Sequence, residues 1–168
     1  MSTRTFFFCS LPLFIILFAI GCDTMKTQVI QQAGENEDIG EIGTVVITSA
    51  EADSSTDESS FGTDEYVINT VTIHNDTLRI SVSYSGGCET HQFTLVAEER
   101  FMESFPVQLR VSLAHNANGD TCEESITEDH VFDLTPIKEM YQKGYQTDTG
   151  TIILRLKDAP PGELAYEF

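Results

Sequence analysis

From residue 70 onward apolar and polar side chains alternate with a period of two, the spacing that turns one face of an extended chain inward. Val71 and Ile73 alternate with Thr70, Thr72 and His74, and Asn75-Asp76 then marks a tight turn. Leu78, Ile80, Val82 and Tyr84 alternate with Arg79, Ser81 and Ser83 until Gly86-Gly87 breaks the run. Phe93, Leu95 and Ala97 share a face, as do Phe105, Val107, Leu109, Val111 and Leu113, where Pro106 suits a strand start or edge. Asn118-Gly119 is a turn signal, and residues 126–134 form a weaker strand. Thr135-Pro136 can start a helix, with Ile137, Met140 and Tyr141 at helical spacing before Gly144. Ile152, Leu154 and Leu156 make a last strand before a short C-terminal tail. Short strands at this spacing with one short helix predict a mainly β domain over residues 65–168, an antiparallel sandwich or small barrel. The expected form is a small antiparallel β-sandwich of immunoglobulin-like size.

The first 64 residues follow a different pattern. Arg4 precedes an apolar stretch at residues 6–20, interrupted only by Ser10 and Pro12. That is short for a membrane-spanning helix, which needs about 20 apolar residues, and it describes a removable signal peptide over residues 1–21. Its end, Ala19-Ile20-Gly21-Cys22, resembles the bacterial lipobox, although that motif usually has Leu where Ala19 stands. The resemblance implies cleavage before Cys22 and lipid (palmitate among the acyl chains) on that cysteine. Ordinary cleavage would leave three cysteines, an odd set, whereas lipidation uses Cys22 and leaves a pair. Residues 22–64 read as a disordered acidic tether, rich in Glu, Asp, Ser and Gly and poor in large apolar residues. Within it TVVIT at residues 44–48 is a brief β-like run suited to an edge strand.

Charge narrows the partners. The formal net charge is −18, and loss of Arg4 with the signal peptide makes it one unit more negative. Such a surface repels phosphate backbones, which bind through Lys and Arg, so nucleic acid is excluded as a partner. Anionic headgroups are repelled too, leaving membrane attachment to the N-terminal lipid, which holds stably with two or more chains. The acidity reads mainly as solubility, with binding of cations or a basic partner as the functional reading.

Candidate chemistry gathers in two short segments, Cys88 and His91 in GGCETH, and His115 and Cys122 in HNANGDTC. His91 has the strand parity of Phe93 and Leu95, and His115 that of Val111 and Leu113, so both histidines fall at strand ends in inward register. If the strands are neighbours, both cysteine-bearing loops lie at one end of the fold. The expected reading is a Cys88–Cys122 disulfide, which persists outside the cytosol and, by closing a loop of about 35 residues, adds about 3–4 kcal/mol in the chain-entropy model. It would widen the small stability margin of a domain of about 100 residues. The alternative is a metal site formed by Cys88, His91, His115 and Cys122, a tetrahedral set for zinc or a soft one for copper.

Residues 116–120 (NANGD) hint at a calcium loop but lack the acidic alternation and the terminal Glu of an EF-hand, and a turn fits better. Ser83, Ser85, His91 and His115 suggest no hydrolase, because no G-x-S-x-G elbow or triad spacing accompanies them. The expectation is therefore no enzyme and no cofactor.

Residues 84–95 (YSGGCETHQFTL) and 107–120 (VQLRVSLAHNANGD) resemble the C-terminal β-sandwich domain of NigD-like lipoproteins of Bacteroidota, over about residues 78–156. That family generally carries an additional small N-terminal barrel, for which residues 23–64 are too short and too polar. The resemblance implies a sandwich fold and an envelope location and assigns no catalytic residue. The sequence thus points to a lipid-anchored protein of the bacterial cell envelope, on the periplasmic or surface side of a membrane. It reads as a non-catalytic binding or structural module, with an envelope protein or surface polymer as partner. The alternative is a metal-handling or redox protein using Cys88, His91, His115 and Cys122.

Overall fold

Leu78, Ile80, Val82 and Tyr84 all bury their side chains on one face of a ten-residue strand, as their alternation dictates. The computed structural model describes residues 42–48 and 58–168. The expected signal peptide, Cys22 and residues 23–41 and 49–57 of the tether lie outside them. In chain order the elements are β1 (Ile42–Thr48), a 3-10 turn (Glu58–Phe61), β2 (Val67–His74), β3 (Thr77–Gly86), β4 (Gln92–Glu98) and β5 (Val107–Asn116). β6 (Glu124–Asp133), α1 (Thr135–Tyr145), β7 (Thr151–Leu156) and β8 (Leu164–Glu167) follow. Among the described residues no helix is long and apolar enough to cross a membrane.

The eight strands form one sheet in the order β2-β3-β6-β1-β4-β5-β7-β8. The expected two-layer sandwich is not what forms. The sheet curls until it nearly closes into a barrel, and its edge strands β2 and β8 approach each other. Nor is it purely antiparallel, because β1 runs parallel to both β4 and β6, and β5 runs parallel to β7. β2 and β3 make the predicted hairpin, turned at Asn75 with a φ of 51°, a left-handed conformation that Asn tolerates well.

Three further expectations need correction. The run at residues 44–48 is no edge strand, since β1 lies inside the sheet and joins β4 to β6. It also starts earlier, at Ile42, where Gly43 pairs with Phe132. A Cβ on Gly43 would stand 2.5 Å from the Phe132 ring, so the bare backbone lets this fully buried ring lie against the strand. The C-terminal tail is in part a strand, β8, and Tyr166 on it is fully buried. Phe105, which shares the parity of Val107, falls before the start of β5 and is fully exposed.

The barrel core contains Leu95, Leu109, Leu113, Phe132, Ile152 and Leu154 with the inward face of β3. Asp133 starts α1, its Oδ1 accepting from the Thr135 N–H at 2.9 Å and from the Thr135 hydroxyl at 2.6 Å. Pro136 occupies the first turn, where its missing N–H costs nothing. Leu134 and Ile137 are completely buried where β6 finishes. The opposite end, where β6 begins beside Gly86, gathers the chemistry-bearing loops.

Candidate functional site

β3 ends at Gly86 and β5 at Asn116, while β4 begins at Gln92 opposite Asn116 and β6 at Glu124 opposite Gly86. The β3–β4 and β5–β6 connections therefore meet at one end of the barrel. Cys88 and Cys122, one in each, form a disulfide with Cα atoms 5.9 Å apart, within the usual bridging range. With both sulfurs bonded to each other, two thiolates are not available, and the four-ligand metal set of Cys88, His91, His115 and Cys122 is not formed. The two ring nitrogens that face each other, His91 Nδ1 and His115 Nε2, are 2.8 Å apart. Two nitrogens on one tetrahedral zinc, each about 2.0–2.1 Å from the metal, would stand about 3.3 Å apart. The spacing is that of a hydrogen bond.

Asp120 organises this end. Its Oδ2 accepts from the backbone N–H groups of Cys88 at 2.9 Å and Glu89 at 3.0 Å, and its Oδ1 from that of Cys122 at 2.8 Å. The carboxylate thus clamps both flanks of the disulfide. Its side chain is fully covered, and His91 Nε2 lies 3.2 Å from Oδ2. The N–H groups of Cys122, Glu89 and Cys88, with His91, hold the carboxyl far below the ordinary carboxylate range, and burial opposes them only in part. Asp120 is therefore an anion and can only accept hydrogen bonds.

The second histidine is anchored from the other side. His115 Nδ1 lies 3.2 Å from the Asp64 carbonyl, while the Asp64 N–H donates to the His115 carbonyl at 3.0 Å. The Asp64 carboxylate accepts from the Ala117 N–H at 2.7 Å. The last part of the supposed acidic tether is thus built into the sheet end, with Thr63 bridging to His115, and ordered structure begins before residue 65. Burial pushes the His115 ring below its ordinary pKa, the Asp64 carbonyl works against this, and the nearby His91 adds to it.

Aromatic rings complete the packing. Tyr84 stacks on His91 with centroids 4.4 Å apart, and Phe93 stacks on His115 at 4.3 Å with its other neighbour His130 at 4.2 Å. The Tyr66 hydroxyl donates to the Leu113 carbonyl, and the Tyr66 ring meets His115 edge-on. Burial, with Glu128 beside it, raises the Tyr84 phenol to about 12. Gly86 leaves room for this arrangement, since a Cβ there would stand 2.5 Å from His91 Nε2. Beside the rings opens a recess of about 890 Å³, whose wall includes Asp64, Tyr66, Tyr84, His115, Asp120 and Lys157.

All four residues singled out from sequence, Cys88, His91, His115 and Cys122, are brought together at this end. Asp120, Asp64, Tyr66 and Tyr84 complete the cluster and were not singled out for it. For Asp120 a signal existed: an Asp two residues before Cys122 can accept that residue's N–H in an Asx-type turn.

No family profile matches the sequence, and no curated protein matches it. Solved structures do resemble the fold. A NigD-like immunity protein from Bacteroides caccae aligns with a TM-score of 0.53 at 13% identity, over 76% of this chain and 63% of its own. A protein of unknown function, DUF1344, from Bacteroides vulgatus aligns with a TM-score of 0.45 at 14% identity, over 76% of this chain and 56% of its own. The chain therefore spans less than two thirds of either. At these identities the likeness is one of fold, and it lies with the NigD-like structure.

Proposed function

We propose that this protein is a lipid-anchored, non-catalytic module of the bacterial cell envelope that binds an envelope protein or surface polymer. One observation carries the non-catalytic reading: the chemistry-bearing side chains are bonded to one another. The two cysteines form a disulfide, Asp120 accepts three backbone N–H groups, and the facing nitrogens of the two histidines bond to each other. A nucleophile or general base needs an atom within reach of substrate, and here these groups instead rigidify the wall of an open recess. The recess, with Tyr66 and Tyr84 on its wall, is the proposed binding surface. The NigD-like immunity protein that shares the fold is compatible with a binding role.

The anchor rests on Ala19-Ile20-Gly21-Cys22 after the apolar run. Metabolic labelling with a clickable fatty acid in a bacterial host tests it. The wild type should incorporate label and sediment with membranes, and Cys22→Ser should lose the label. Label persisting in Cys22→Ser would overturn the anchor assignment.

A further inference from the structure

We propose that His91 and His115 form a single-proton site, two buried rings that together hold one proton between their facing nitrogens and make this end of the barrel responsive to pH. The argument is a count of hydrogens along one chain of contacts. Asp120 accepts only, so His91 Nε2 must donate to it. The Asp64 carbonyl also accepts only, so His115 Nδ1 must donate to it. A neutral imidazole carries one N–H. With both outer nitrogens protonated, two neutral rings would turn bare lone pairs toward each other across 2.8 Å, at His91 Nδ1 and His115 Nε2. One further proton turns that repulsion into a hydrogen bond, and a second would set two N–H groups against each other. The geometry therefore selects one extra proton for the pair.

The surroundings suit one positive charge and no more. Asp120 faces His91 from the β5–β6 connection, and Tyr84 of β3 covers the same ring. Asp64, Glu65 and Tyr66 approach His115 from the segment before β2. On β6, His130 lies beyond Phe93, and Glu128 lies beside Tyr84. The side chain of His91 is 2% exposed and His115 is 1% exposed, so water cannot readily replace the shared proton. When rising pH removes it, one ring must turn or leave, and either movement alters the recess wall that His115, Tyr84 and Asp120 share.

Nitrogen-15 NMR of the imidazole rings in the full chain, solubilised in detergent, tests this. Near neutral pH the two rings should carry three nitrogen-bound protons in total, with His91 Nε2 and His115 Nδ1 both protonated. On raising the pH one proton should be lost with a single midpoint seen by both rings, and amide signals at residues 88–91 and 115–122 should move with it. Two or four nitrogen-bound protons near neutral pH, or rings titrating independently, would overturn the proposal. The readout does not depend on the lipid anchor or on any partner, so its failure leaves those readings to their own tests.

Discussion

The Tyr166 hydroxyl donates to Asp76 Oδ1 at 2.6 Å, joining residues 90 positions apart and fastening edge strand β8 to the β2–β3 turn. The Lys138 ammonium bonds the other oxygen of the same carboxylate, so one side chain ties α1, β8 and the hairpin together. Tyr166→Phe keeps the buried ring and removes only this hydroxyl. Urea denaturation should show a loss of about 1.5–3 kcal/mol, the net worth of a hydrogen bond to a charged acceptor. Burial and then Asp76 push the Tyr166 phenol far above its ordinary value. The unfolded phenol ionises near about pH 10 while the folded one stays neutral, so stability present below that pH is lost as pH rises above it. Tyr166→Phe should flatten this alkaline decline.

Asp120→Ala should leave the N–H groups of Cys88, Glu89 and Cys122 and the His91 ring without their acceptor. Thermal unfolding should show a larger fall in Tm than Tyr166→Phe causes, and Asp120→Asn, which keeps an acceptor oxygen, should fall between that variant and wild type. Equal effects of the Ala and Asn variants would show that the N–H groups do not depend on this side chain.

Replacing Cys88 and Cys122 together by Ser opens a crosslink spanning 34 residues. The double variant should fold and be about 3–4 kcal/mol less stable in denaturant. Thiol titration of the denatured, unreduced wild type should find no free thiol at either position. Two thiols there, together with stoichiometric metal, would instead restore the metal reading.

The acid limb of stability should carry a histidine signature. Burial lowers His130 below the ordinary value of 6.5. Its stabilising contribution is full above that pH and is lost as pH falls below it, because the unfolded state then binds more protons. Denaturation midpoints measured between pH 7 and pH 5 should decline, and His130→Gln should reduce the slope. A slope unchanged in that variant would remove His130 from the account.

Gly43→Ala tests the placement of β1. The added methyl would press on the buried Phe132 ring, and overpacking of this kind costs about 1–3 kcal/mol. An unchanged unfolding midpoint would mean that β1 does not lie against that ring.

The strands that form the hairpin and the barrel wall were legible where one face is buried, since the alternation in β3 and along most of β5 marks the inward side; β7 was legible instead as a short apolar run, buried at Ile152, Ile153 and Leu154 alike. β1 was legible as a strand but not as an interior one. Its side chains are mostly half-exposed, and its place follows from backbone pairing with β4 and β6, which leaves no trace in hydropathy. β8 was hidden because its one fully buried residue, Tyr166, stands among exposed neighbours in a four-residue strand. Parallel pairing of β5 with β7 has no local signature, and barrel closure depends on the whole strand order. At the site, strand parity brought the histidines together, whereas Asp120 looked like a turn residue because its role is to accept N–H groups from a distant loop.

The interior position of β1 also sets an order of assembly. Thr44 pairs with Thr94, and Ile42 with Val131, so the first strand among the described residues finds its second neighbour only when β6 is available. β3 and β6, and β4 and β5, can each dock as antiparallel pairs without it, but the two halves of the sheet are joined through β1. A chain emerging N-terminus first can pair residues 42–48 with β4 once about fifty further residues have appeared, must wait for more than eighty before β6 can join them, and the Tyr166 fastening waits longer still. Such dependence on distant contacts favours folding as a late, concerted step rather than strand by strand.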